Sequence, residues 1–467
     1  MEIKSVYAGL LSSKGLKSIW FQFLLVASIM WCFHVVAVFL IQRYNLTLHI
    51  SIETIPLYKR PDVSFNRWLI LPIAGFGLYL VLMRSVLKAQ ESIPLPVLLI
   101  IFIGLKIVID VSVTLINGSF LPIGIKEYID DVPKFASISD ILQHYADRAS
   151  TLTRHAGTHP PGAVLTLWLV TRLFVYNYMV KAWLIILSAP LVLIPVYRLA
   201  TKLHDRRTAV HALALYLVTP NAVLYTATCM DAFFAPFLVF SLYLICDPVK
   251  QTTLGAILTG LSLAISMFFT FATTFLGLYF IALTVATYFW KRQEFTKHLV
   301  ALTVSGTTFC LVYLIVYVLT DYNLLTNLIA AMEVDQSGIG TGYETLPRYF
   351  LVSGTNLFGF LTLIGIPTIV FFLRQLGREI HQLLAGQECS IFLLTYIVVL
   401  IPTAFSTLYM TETERIWLFM APFVLIPAAK NLVTYVGQQQ NNWLFYIVVS
   451  LLFVQTLGFE ILIDTIW

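Results

Sequence analysis

The chain has 467 residues, of which 59% are hydrophobic and only 11% charged, with a mean hydropathy of +0.85. A soluble domain carries about 25% charged residues, so this composition all but excludes a soluble enzyme, and it excludes a disordered chain. The net charge of +5 is small and sits mostly in short loops, which fits membrane topology and not nucleic-acid binding.

A spanning helix needs about 20 apolar residues. The first candidate, 18–42, follows Lys4, Lys14 and Lys17 and is too long for a signal-peptide core, so it reads as a retained helix. Next come 67–87, 95–117, 180–198, 209–228, 231–246 and 253–271. The series ends with 272–290, 298–319, 349–373, 390–408, 416–433 and 443–464. The expected fold is therefore an all-α polytopic membrane protein of about thirteen transmembrane helices, with 1–467 forming one domain. The short segment 163–178 carries Arg172 and reads as a dipping or interfacial helix.

Lys and Arg placement sets the orientation. With the N-terminus cytoplasmic, Arg84, Lys88, Arg198, Lys202, Arg206, Arg207, Lys291, Arg292, Lys297, Arg374 and Arg378 all fall inside. The loops 118–161 and 320–348 then fall outside, as does 409–415. Two sequons, at Asn45 and Asn117, lie at external positions, a match frequent by chance. Cys32, Cys229, Cys246, Cys310 and Cys389 lack metal-ligand spacing and read as small hydrophobes.

The 118–161 loop, from Lys126 to His159, is longer than an ordinary connection and rich in charge. Asp130 and Asp131 are adjacent carboxylates beside Tyr128. Such a pair can hold a divalent metal or supply a general base, and it is also what a solvated acidic turn looks like. His159-Pro160-Pro161-Gly162 starts a helix rigidly, with an imidazole at its entrance. Asp231 follows Pro220 and Tyr225 and is either a snorkelling turn residue or a site residue. In Thr411-Glu412-Thr413-Glu414-Arg415, the acids suit a helix N-terminus, and Arg415 suits a lipid-linked phosphate at the external boundary. Lys106 and Asp110 stand at i,i+4 inside a span and favour a structural pair, with a transport relay as the alternative. Alternate glycines in 320–348 imply flexibility and fit no phosphate-binding pattern.

These features together resemble the GT-C membrane glycosyltransferases. The closest likeness is to the protein O-mannosyltransferase and lipid A aminoarabinose transferase superfamily (glycosyltransferase family 39). The residues that carry it are Tyr128-Ile129-Asp130-Asp131, then His159-Pro160-Pro161, the basic loop Arg198 to Arg207, Met230-Asp231-Ala232, and Glu414-Arg415-Ile416-Trp417. The resemblance covers roughly 95–433. Residues 1–94 add two spans before the acidic loop, and 266–271 lack a lysine many members carry.

The resemblance implies transfer of a sugar from a polyprenyl-phosphate donor to an acceptor hydroxyl, with no nucleotide cofactor. The acceptor (glycan, lipid or protein) and any divalent cation stay open. Asp130 or Asp131 would be the base, and both would be the ligands of any divalent metal. Arg415 and His159 would bind the donor phosphate, with Tyr128, Asp231, Glu412 and Glu414 in support. The catalytic loop would be 118–178, on the non-cytoplasmic face of the cell membrane (the inner membrane in a bacterium). Membrane lipid is an expected partner and nucleic acid is not. A transporter or flippase, or a non-catalytic scaffold, are the competing readings.

Overall fold

The computed structural model describes residues 13–46, 51–57, 60–63, 65–117, 127–226, 229–246, 253–340, 342–406, 409–439 and 442–463. Lys4, Lys126 and Thr228 lie outside them, as do the first residues of the 118–161 loop.

The described chain is helical. The order is α1 (Ser13–Tyr44), α2 (Ile70–Ala89), α3 (Leu95–Thr114), α4 (Ile138–Arg148), α5 (Arg154–Gly157), α6 (Gly162–Leu173) and α7 (Tyr178–Ser188). Then follow α8 (Leu193–Leu203), α9 (Arg206–Tyr216), α10 (Pro220–Leu224), α11 (Met230–Ile245), α12 (Thr253–Phe269), α13 (Thr273–Trp290) and α14 (Arg292–Thr320). The last are α15 (Leu324–Ile339), α16 (Leu346–Ile364), α17 (Ile366–Leu384), α18 (Ile391–Phe405), α19 (Thr413–Ile416), α20 (Ala421–Gln439) and α21 (Trp443–Leu462).

Among the described residues, eight helices are long and apolar enough to cross a membrane, or nine if the bent pair α16–α17 is one span. The expected count of thirteen thus exceeds what length and composition alone sustain. Several of the remaining segments fall on shorter apolar helices, α11, α12 and α18, while 163–178 falls on the short helix α6. Burial separates centre from periphery. The Thr413–Gly437 span is 89% buried in its most apolar window, whereas the first span, Ser18–Tyr44, is only 11% buried.

Two expected spans are broken. The segment 209–228 splits into α9 and α10, because Pro220 has no N–H and crowds the turn before it. The carbonyls freed there find other partners. Thr456 Oγ1 donates to Val218 O at 3.0 Å, and Lys106 Nζ donates to Ala222 O at 2.7 Å. Lys106 also pairs with Asp110 and reaches Thr226 Oγ1 at 3.3 Å, which is the structural use of that intramembrane pair.

The segment 349–373 is likewise two helices, bent by 107°. Gly365 stands at the bend with φ +95°, a conformation that suits glycine. Gln455 of α21 bridges the break, accepting from Ile366 N at 3.1 Å and donating to Thr362 O at 2.9 Å. A Cβ at Gly365 would stand 2.3 Å from Leu452 Cδ2. Gly365→Ala is therefore expected to lower the Tm of the detergent-solubilised protein, with backbone strain alone costing about 1–3 kcal/mol; an unchanged Tm would contradict the bend.

Candidate active site

The acidic turn opens the site. Residues 127–131 form a tight turn in which Ile129 N donates to Glu127 O at 2.7 Å, and Tyr128 takes φ +62°. Its two carboxylates part company. Asp131 is fully buried and accepts from Lys134 Nζ at 2.7 Å, from Thr153 N at 3.0 Å and from Thr153 Oγ1 at 2.5 Å. Asp130 is exposed, and its charge is felt by Tyr176 and Lys181. Asp131 thus ties the turn to the residues before α5, while Asp130 faces outward. The Asp131 carboxylate is already taken up by Lys134 and Thr153, and among the described residues no group of three or more His, Cys, Asp or Glu is arranged for a metal ion.

Next comes the helix entrance. Pro160 and Pro161 set up α6, and a Cβ on Gly162 would lie 2.3 Å from Phe268 O, so only glycine allows this approach to α12. His159 Nδ1 donates to His155 O at 2.9 Å. Its ring lies edge-on to Tyr128, with centroids 5.9 Å apart, and near Phe234 at 6.0 Å. Burial, aided by His155 and Arg415 and opposed by Asp231, pushes His159 down to about 4. It is a neutral imidazole at neutral pH.

Arg415 is the centre. Its side chain is 2% exposed. Nη1 pairs with Asp231 Oδ2 and donates to Cys229 Sγ at 3.1 Å. Nη2 pairs with Glu412 and donates to His155 Nε2 at 3.3 Å. The hydrogen of His155 therefore sits on Nδ1, which faces the Glu127 carboxylate. Cys229 Sγ donates to Asp231 Oδ2 at 2.8 Å. Burial and the Arg415 charge push His155 down, against the pull of Glu412. Burial alone would raise Glu412, but the Arg415 charge holds it below the usual carboxylate range. Glu414 is buried against Gly359 of α16, with Tyr225 in reach of its charge.

The backbone is shaped for this arrangement. Thr411 and Glu412 take φ +74° and +58°. Asn356 of α16 fixes them: its Oδ1 accepts from Thr411 N at 3.1 Å, and its backbone carbonyl accepts from Thr413 Oγ1 at 2.7 Å.

The structure thus brings together Tyr128, His159, Asp231, Glu412 and Arg415 from four separate stretches. Asp131 and Asp130 flank them, anchored and exposed respectively. Sequence reading passed over Glu127, His155, Cys229 and Lys181 as site residues. His155 stands four residues before His159, at helical spacing, and Lys181 is a cation inside an apolar run, which is by default a functional signal. Lys181 is buried and donates to Glu127 O at 3.1 Å.

The family model of dolichyl-phosphate-mannose-protein mannosyltransferases matches residues 158–322. That stretch is just over a third of the chain; it begins at the His159-Pro160-Pro161 element and includes Asp231, but neither the acidic turn nor Arg415. The match supports the resemblance to GT-C membrane glycosyltransferases. No curated protein matches the sequence significantly. Among solved structures, the Archaeoglobus fulgidus oligosaccharyltransferase complexed with Zn and sulfate is similar at 13% identity and a TM-score of 0.48, covering 73% of this chain and 48% of that one. The archaeal oligosaccharyltransferase AglB from Archaeoglobus fulgidus, with an inhibitory peptide and a dolichol-phosphate, is similar at 11% identity and a TM-score of 0.46, covering 73% and 51%. The chain spans about half the length of these proteins.

Two outcomes follow from this geometry. Arg415→Met strands buried carboxylates and should cost about 3–5 kcal/mol, read as a loss of Tm, and adding Asp231→Asn should recover part of it. Fully additive losses would show that the two residues are not coupled. For His159, the folded pKa of about 4 lies below the unfolded value of about 6.5. The unfolded state binds more protons between these values, so stability should fall as pH drops from about 6.5 to about 4. In Tm against pH, His159→Gln should flatten that fall, and an unchanged slope would contradict the assignment.

Proposed function

We propose that the chain is a glycosyltransferase that moves a sugar from a polyprenyl-phosphate-linked donor to an acceptor hydroxyl on the non-cytoplasmic face of the membrane. The observation that carries this reading is the convergence of the acidic turn, the His159-Pro160-Pro161 entrance and the buried Arg415 at one place in an apolar bundle. The family match to 158–322 supports it.

The chemistry divides between an outer and an inner group. Asp130, exposed on the turn, accepts the proton of the acceptor hydroxyl as the oxygen attacks the anomeric carbon. Asp131 is a positioning residue, because every contact it makes holds the turn. The bond from the anomeric carbon to the phosphate oxygen breaks, and the negative charge left on the phosphate needs a cation. Arg415 supplies it by exchanging a partner: the phosphate takes the place of Glu412 on Nη2. Asp231 keeps Nη1 aimed throughout. The hydroxyl of Tyr128 is buried with no hydrogen-bond partner among the described residues, which leaves it open to a sugar hydroxyl. His159 lines the same space as a neutral imidazole. The residues described do not fit a divalent cation at Asp130 and Asp131, so no step is routed through one.

The test is transfer from a panel of radiolabelled polyprenyl-phosphate sugars by the purified full chain. Asp130→Asn should lower transfer by about 10²–10⁴-fold, the usual size of a general-base contribution, without moving Tm. Asp131→Asn should lower both. Full transfer by Asp130→Asn would remove the proposed base, and no transfer or hydrolysis of any donor by folded wild type would remove the reading.

A further inference from the structure

The first helix leaves a gap. A groove of about 820 Å³ lies between α1, the α16–α17 bend and α21. Its walls include Phe23, Ala27 and Met30 on one side and Ile366, Leu451 and Val454 on the other. Gln455, the amide in that wall, is occupied by the bend at both its oxygen and its nitrogen. Both α1 and α21 are long and apolar enough to span, so the medium at the groove is hydrocarbon and its occupant is a lipid chain. From Trp20 to His34 the groove follows α1 over fourteen residue steps. At 1.5 Å per residue that is about 21 Å, against ~15 Å for one leaflet of a ~30 Å core, so a leaflet chain fits in full.

One end of the groove is polar, and its polarity has a sign. His34 Nδ1 donates to Ile55 O at 2.7 Å, so that nitrogen carries the hydrogen. Glu53 is exposed beside it, its carboxylate accepting from the Ser51 hydroxyl. Among the described residues that line the groove there is no Lys or Arg. The Glu53 carboxylate makes this end a hydrogen-bond acceptor with negative charge. It repels a phosphate monoester and attracts an ammonium group.

We propose that the groove is a binding site for a diacyl lipid with a primary-amine headgroup, its chains between α1 and α21 and its ammonium on Glu53. This lipid is separate from the sugar donor, and the site does not depend on the chain's catalytic activity.

The test is lipid retention by the purified full chain, read by native mass spectrometry after exchange from vesicles. The vesicles contain equal phosphatidylethanolamine and phosphatidylcholine with a trace of polyprenyl phosphate. Wild type should retain phosphatidylethanolamine about fivefold over phosphatidylcholine, because both carry the cationic charge and only the primary amine also donates hydrogen bonds to Glu53, the scale of one net hydrogen bond. Glu53→Gln, a surface change, should abolish that preference. Ala27→Trp, with an unchanged Tm, should remove retention of both diacyl lipids. Equal retention of the two by wild type, a preference that survives Glu53→Gln, or preferential capture of polyprenyl phosphate would each overturn the proposal.

Discussion

A buried guanidinium fixes much of this structure. Arginine stays charged wherever it is placed, so the burial of Arg415 has to be met by anions and acceptors. The chain brings these from stretches that are far apart in sequence: Asp231 at the head of α11, Glu412 just before α19, and His155 in α5. Each of these imposes a local condition. Asp231 faces Arg415 from the first turn of α11, whose N-cap is Cys229. Glu412 can turn back only if its own backbone enters the left-handed region. His155 can accept from Arg415 only as a neutral ring with its hydrogen toward Glu127.

The strain gathered here is consistent with that origin. Tyr128, Thr411 and Glu412 all hold positive φ, at about 1–3 kcal/mol each for residues with a side chain. They persist because neighbours over-determine them. Asn356 holds the 411–413 backbone through its side chain and its carbonyl, and Asp131 clamps the turn through Lys134 and Thr153. The anchoring carboxylate in the turn is therefore the buried one. Burial with a full set of donors suits a structural acid, and exposure suits an acid that must meet a proton from outside.

Much of the fold was legible in the sequence, because apolar runs of spanning length are hard to mistake. The breaks were less so. The proline at 220 was visible, but hydropathy averages across it and reads one span, and the same averaging hides the bend at Gly365. The residues at the cluster were largely legible too, since charges at the ends of apolar runs stand out. Their pairing was not. Nothing in the spacing of Asp231 and Arg415 says that they touch, and Arg415 read alone looks like a cation waiting for a phosphate. His155 and Lys181 were hidden for opposite reasons, the first among many charged neighbours and the second inside a run scored as membrane.

The pairing changes how a phosphate would be received. An unpaired arginine in a low-dielectric bundle would bind any anion, including inorganic phosphate, and would be costly to fold. One that already holds two carboxylates binds an anion only by displacing one of them. Of the two, Asp231 is the more firmly held, because Cys229 Sγ donates to the same carboxylate oxygen that Arg415 grips. Glu412 is held by Arg415 Nη2 and sits on a residue in the left-handed region. The weaker hold and the strain fall on the same residue. On the proposed function, an anion would displace Glu412, and that displacement would depend on contacts the rest of the ligand supplies. Selectivity would then come from the lipid and sugar portions and not from phosphate charge alone.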